Sequence, residues 1–191
     1  MIETTYLTNH LLIAMPNLDD PHFAQTVTYV CMHNDDGAMG IVINRPITGV
    51  DVGQVLEHMN IESQNPIAER WPVFDGGPVQ KERGFVLHEP PEKGQWDAML
   101  ILQNNVAITT SQDILQAMAK GNGPDKVLIA LGYAGWSAGQ LEHEMLENTW
   151  LSIPANDNDI IFNIPIENRW QAAAAKLGID LNLLSTQAGH S

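Results

Sequence analysis

Thr26-Val27-Thr28-Tyr29-Val30-Cys31-Met32-His33 leads into Asn34-Asp35-Asp36-Gly37 and then, after Ala38, into Met39-Gly40-Ile41-Val42-Ile43-Asn44. The first stretch is rich in β-branched and aromatic residues, which suit a pleated surface. The middle one is a turn, because Asn and Asp bond their own backbone and Gly accepts unusual dihedrals. The third is apolar again. Together they read as a β-hairpin.

Other segments follow outward from this hairpin. Leu11–Met15 reads as a short buried strand closed by Pro16, Asn17 and Asp19-Asp20-Pro21. Asp51–Met59 carries Val52, Val55, Leu56 and Met59 at helical spacing, the stripe of one buried face. Val73–Phe74, Phe85–Leu87, Met99–Leu102 and Val106–Thr109 read as short strands broken by Gly76-Gly77-Pro78 and Pro90-Pro91. Ser111 is placed to cap a helix that runs to Lys120, with Asp113 in its first turn and Gly121 past its end. Val127–Leu131 reads as a central strand, Gly132–Gly139 as a glycine-rich turn and Gln140–Asn148 as a helix. Trp150–Ile153 and Ile160–Phe162 read as strands, and Glu167–Leu177 as a last helix stopped by Gly178. Strands and helices mix without strict alternation, which predicts an α+β fold. Residues 1–187 read as one domain and 188–191 as a free tail.

The chain of 191 residues is long enough to fold without a metal or disulfide staple. Nine Lys and Arg face 23 Asp and Glu, giving a formal net charge of -14. Val127–Asn168 holds no Lys or Arg but six acids: Glu142, Glu144, Glu147, Asp157, Asp159 and Glu167. Phosphate backbones attract basic surfaces, so direct nucleic-acid binding is not expected. Acidity serves solubility, or else a basic protein partner. Cys31 is the single cysteine, which fits a reducing compartment. The N-terminus lacks the pattern of a signal peptide, and the longest apolar runs fall far below the ~18 residues of a membrane span. A cytoplasmic protein without membrane contact is the expectation.

Gly135-Trp136-Ser137-Ala138-Gly139 matches the G-x-S-x-G of serine hydrolases, and Asp157 or Asp159 followed by His190 would complete the order of a triad. Gly132-Tyr133-Ala134 intervenes between strand and motif, His190 is penultimate, and no oxyanion motif lies upstream. A helix-entry turn with close-packed glycines explains the same residues. Cys31 and His33, two apart on a strand, would share a face, where an imidazolium lowers a thiol pKa. Asp35 and Asp36 oppose that, and a small buried cysteine is the plainer account. His143 and Glu147 lie i, i+4 on a helix but supply only two ligands, so no metal is expected. The glycine spacing fits no phosphate cradle, and no cofactor is expected. Tyr133 and Trp136 among glycines read equally as plugs over the core or as a binding platform.

Several stretches together resemble the YqgE/AlgH family of bacterial proteins. They are Leu12-Ile13-Ala14-Met15-Pro16, Asp20-Pro21-His22-Phe23, and the hairpin from Tyr29 to Asn34 and from Gly37 to Pro46. Next come Gly76-Gly77-Pro78-Val79, Arg83 to His88, Gly132 to Trp136, Gly139 to Glu142, and Arg169-Trp170. They run in order along almost the whole chain, and Asp75 before the double glycine is the one unusual residue among them. The resemblance implies a curved, mixed β-sheet folded into a pseudo-barrel with surrounding helices, in a bacterial cytosolic protein. It also implies that Ser137 is no family signature. One branch has a name tied to regulation of alginate production, which points to regulation and to no particular chemistry.

The resulting expectation is a non-enzymatic binding or regulatory protein with a protein or small-molecule partner. Its surface would combine Asn44, Arg45, Gly76, Gly77, Arg83, Tyr133, Gly135 and Trp136, since binding residues favour loops on a rigid scaffold. The alternatives are thiol chemistry at Cys31 with His33 and, behind it, a hydrolase at Ser137.

Overall fold

A computed structural model describes residues 5–187. The strands are β1 (His10–Ala14), β2 (Val27–Asn34), β3 (Gly37–Val42), β4 (Pro46–Asp51), β5 (Pro72–Asp75), β6 (Val79–His88), β7 (Met99–Ile101), β8 (Ala107–Thr109), β9 (Val127–Ser137) and β10 (Trp150–Pro154). The helices are α1 (Val52–His58), α2 (Pro66–Glu69), α3 (Asp113–Ala119), α4 (Gln140–Leu146), α5 (Asp159–Phe162), α6 (Arg169–Ala175) and α7 (Leu181–Gln187). The strands form one curled half-barrel in the order β10-β1-β2-β3-β9-β6-β8-β7, with β5 parallel to β9 and β4 beside β5. This is the curved, mixed α+β sheet that the resemblance implied. Among the described residues, no helix is long and apolar enough to cross a membrane.

The hairpin β2–β3 forms as the turn signal predicts: Asn34 pairs with Gly37, and Asn34 Oδ1 accepts from the Asp36 N–H at 2.8 Å. The strand β9 is the spine. Its first half pairs with β5 and β6, and its second half pairs with β3. The expected turn at Gly132–Gly139 is therefore wrong, because the strand runs on to Ser137. Gly132 takes a left-handed φ of +77° and lies opposite a bulge, Gln80–Arg83, where β6 leaves the ladder. Backbones touch at this crossing. A Cβ on Gly132 would sit 2.4 Å from the Gly77 carbonyl oxygen, and one on Gly77 would sit 2.1 Å from the Tyr133 carbonyl carbon. Only glycine fits such an approach.

Three apolar clusters sit around the sheet. Tyr29, Ile41, Phe85, Leu87 and Ala130 fill the barrel interior. Leu12, Val30, Ala134, Trp136 and Trp150 lie with Leu141 of α4 on the opposite face. Val52 and Leu56 of α1 meet Ile114 and Met118 of α3 over Val86 and Ile129.

Other expectations change. Ile160–Phe162 lies in a single helical turn, because three apolar residues carry no period that separates strand from helix. Ser111 does not cap α3. Its hydroxyl accepts from the Ala98 N–H (2.9 Å) and donates to Asp113 Oδ1 (2.6 Å), tying the loop before β7 to the helix start. The strand β4 and the helices α2 and α7 were not foreseen. The tail 188–191, with His190, lies outside the described residues.

Candidate functional site

The expected binding residues divide into three places. Arg45 donates to three backbone carbonyls, those of Pro21 (2.8 Å), His22 (2.5 Å) and Ala24 (2.9 Å). Asn44 accepts from the Val27 N–H (2.8 Å) and donates to the Gln25 carbonyl (2.9 Å). Both side chains clamp the segment before β2 and line a cavity of about 260 Å³ with Trp170. Arg83, Tyr133, Gly135 and Trp136 line a different and larger groove of about 710 Å³ at the mouth of the half-barrel. Gly76 and Gly77 are part of the backbone crossing at Gly132, where their lack of a side chain permits the contact.

Apolar residues build the mouth groove. Met32 and Met39 come from the hairpin, Phe85 from β6, Met99 and Leu100 from β7, and Tyr133 from β9. Tyr133 packs edge-on to Phe85 at 5.7 Å. Met32 is 50% exposed and Leu100 is 61% exposed, so these two wall residues offer apolar surface to solvent. Trp136 turns only a small part of itself to the groove. It is buried and donates its indole N–H to Glu144 Oε2 at 2.7 Å, the same oxygen that accepts from Trp150 at 2.9 Å. Of the two aromatics, Trp136 is thus a core plug and Tyr133 a groove wall.

Cys31 and His33 do not share a face. The ladder shifts between Val30 and Met32, so Cys31 is an extra residue in a bulge. Cys31 turns into the barrel interior beside Tyr29. His33 pairs with Ala38, which pairs with Trp136, and so points to the opposite face. There its Nδ1 accepts from the Leu7 N–H (2.9 Å) and its Nε2 meets Glu142 Oε1 (2.8 Å). The Leu7 bond requires an unprotonated Nδ1, so Nε2–H donates to Glu142. Burial alone pushes the Cys31 thiol up to about 12, and the His33 imidazole, on the opposite face, does not reverse that.

The AlgH-like family model matches residues 11–182. The chain belongs to that family. It is 56% identical to the UPF0301 protein of Thioalkalivibrio sulfidiphilus over 191 residues, all of both chains. It is 53% identical to a UPF0301 protein of Nitrosococcus oceani over 186 residues, 97% of each chain. The solution structure of the AlgH protein from Pseudomonas aeruginosa matches with a TM-score of 0.77 at 50% identity, covering 100% of both chains. A crystal structure from Corynebacterium diphtheriae matches with a TM-score of 0.73 at 19% identity over 97% of this chain and 94% of that one, and shows the fold alone.

In this AlgH-like chain the hydrolase motif sits at a strand end. The Ser137 N–H and hydroxyl both donate to Gln140 Oε1, at 3.0 and 3.2 Å. Asp157 is held by Lys176 (2.8 Å), a bond that lowers its pKa and serves α6 rather than a triad. His143 and Glu147 make an exposed i, i+4 contact at 3.2 Å. Sequence reasoning missed the groove walls Met32, Met39, Met99 and Leu100. The available signal was Met99-Leu100-Ile101, an apolar run with no polar alternation on a strand that proves to be an edge. In water, such an edge needs cover or a partner.

Proposed function

We propose that this AlgH-like protein is a cytoplasmic, non-enzymatic binding protein of regulatory type. Its mouth groove receives an apolar segment of a basic partner polypeptide. The observation that carries this reading is the exposed, methionine-lined groove between Met32 and Leu100, beside the unpaired edge of β7. Methionine side chains are unbranched and polarizable and adapt to varied apolar partners. Charge supports the partner's sign. The hairpin turn carries Asp36 at one rim of the groove, and the chain as a whole has a net charge of -14. Such a field speeds encounter with basic surfaces and makes binding weaken with salt. The buried Cys31 thiol, held neutral at physiological pH, argues against the thiol alternative.

Affinity capture from bacterial lysate tests the reading, with wild type compared to Met32→Glu/Leu100→Glu. Both positions are exposed, so the variant keeps its fold. A basic partner held by the wild type, lost by the variant and released by salt is the expected result. Equal retention by both baits, or a partner insensitive to salt, would refute it.

A further inference from the structure

A second groove, of about 830 Å³, lies on the other side of β6 from the mouth, between α1 and the start of α3. That volume is within the usual range for small-molecule sites, which are mostly apolar with a few convergent polar groups. Val55 and Met59 supply one wall, Leu115 the other, and Leu131 part of the floor. Val55 and Met59 belong to the apolar stripe of α1, yet they stay half-buried while Val52 and Leu56 are fully covered. The stripe is therefore wider than the core it covers.

Two polar groups at the rim are unengaged. Among the described residues, the Thr110 hydroxyl and the Gln112 amide make no hydrogen bond within the chain. Arg83 stands at the ridge shared with the mouth groove. The four-residue bulge Gln80–Arg83 presents it there, at the one place where β6 leaves β9. Its guanidinium forms no ion pair among the described residues. Its contacts are a 3.5 Å approach to Gln80 Oε1 and the Phe85 ring at 5.4 Å. A planar fork of donors left open beside an apolar trough matches a carboxylate at the end of an apolar body. Glu82 lines the same groove, and its charge selects a single negative charge over a doubly charged phosphate.

We infer that this groove is a small-molecule site for an elongated monocarboxylate. The carboxylate lies on Arg83 and Thr110, and the apolar chain lies over Val55, Met59 and Leu115. The inference does not depend on the mouth groove being a protein-binding surface.

The test is titration of the full chain with decanoate, followed by amide NMR shifts, with decan-1-ol and decyltrimethylammonium as charge controls. Saturable shifts at Val55, Met59, Thr110 and Leu115 are expected, with decanoate bound tightest and the cation weakest. Arg83→Gln should weaken decanoate by about tenfold or more and leave decan-1-ol unchanged, and Arg83→Lys should recover part of the loss. Equal binding of decanoate and decan-1-ol, indifference to Arg83→Gln, shifts confined to Met32, Met99 and Leu100, or no saturation would each overturn the assignment. None of these failures touches the capture experiment, which probes the other groove.

Discussion

Arg45 and Arg83 are both arginines in a strongly acidic chain, and the fold uses them in opposite ways. The Arg45 guanidinium reaches three backbone carbonyls in the Pro21–Ala24 segment. The Arg83 guanidinium stands on a bulge between two grooves with no carboxylate partner among the described residues. Arg169 sides with Arg45. It is buried, donates to the Ile164 and Ile43 carbonyls at 2.9 and 2.5 Å, and stacks over Phe74. Of these three arginines, two belong to the scaffold and one to the surface. Sequence alone grouped Arg45 with Arg83, because both stand in family-matching stretches near turns.

The scaffold side of this contrast breaks hardest at its glycines. Gly77→Ala is expected to lose more than about 4 kcal/mol, since its Cβ would meet the Tyr133 backbone at 2.1 Å. Urea unfolding, or failure to recover soluble protein, reads this out. Arg169→Met comes next, at about 3 kcal/mol, because it leaves the buried Ile43 carbonyl and the part-buried Ile164 carbonyl without their charged donor. A loss below about 1 kcal/mol would move Arg169 out of the scaffold class.

Cys31 sharpens the contrast within the mouth itself. Its thiol is pushed up to about 12 in the folded chain, against about 8.5 when unfolded. Between those values the native state holds a proton that the unfolded state has shed. Stability therefore falls as pH rises through that window, by about 2 kcal/mol between pH 8.5 and 10, and is untouched by this group below it. Urea midpoints against pH should lose that slope in Cys31→Ala. If the wild type has no such slope, the thiol is exposed enough to reopen the redox reading.

Arg45→Met should cost about 1.5 kcal/mol, less than Arg169→Met because its carbonyl partners can turn to water. Arg83→Gln should change stability by less than about 0.5 kcal/mol. A larger loss would mean that Arg83 is a scaffold residue after all.

The sequence made the hairpin, the α1 stripe and the central strand legible because each has a local signature. Asn34 to Gly37 is turn chemistry, Val52 to Met59 has helical period, and Val127–Leu131 is a bounded apolar run. What stayed hidden depends on neighbours distant in the chain. Gly132 read as a turn residue, since glycine usually interrupts strands. It is instead where β9 lets the Gly77 backbone pass. Cys31 and His33 read as sharing a face, because one bulged residue changes every later side-chain direction and leaves no mark in composition. Val55 and Met59 read as core. Whether a helix's apolar stripe meets core or groove is set by the element opposite, here α3. The site was legible in part: Arg83 and Tyr133 stood among the candidates, but the methionine and leucine walls did not.

The place of β9 in the chain also sets the timing of assembly. Strand β3 finds its second partner only in residues 134–137, and β1 finds one of its two partners only in residues 150–154. At a synthesis rate of about 5–20 residues per second, the apolar edge of β3 waits on the order of ten seconds on the ribosome. Contacts of such long range also make folding slow once the chain is free. A nascent chain of this design therefore spends its early life as three unfinished pieces of sheet, β1-β2-β3, β4-β5 and β6-β8-β7, and co-translational chaperones would meet it in that state.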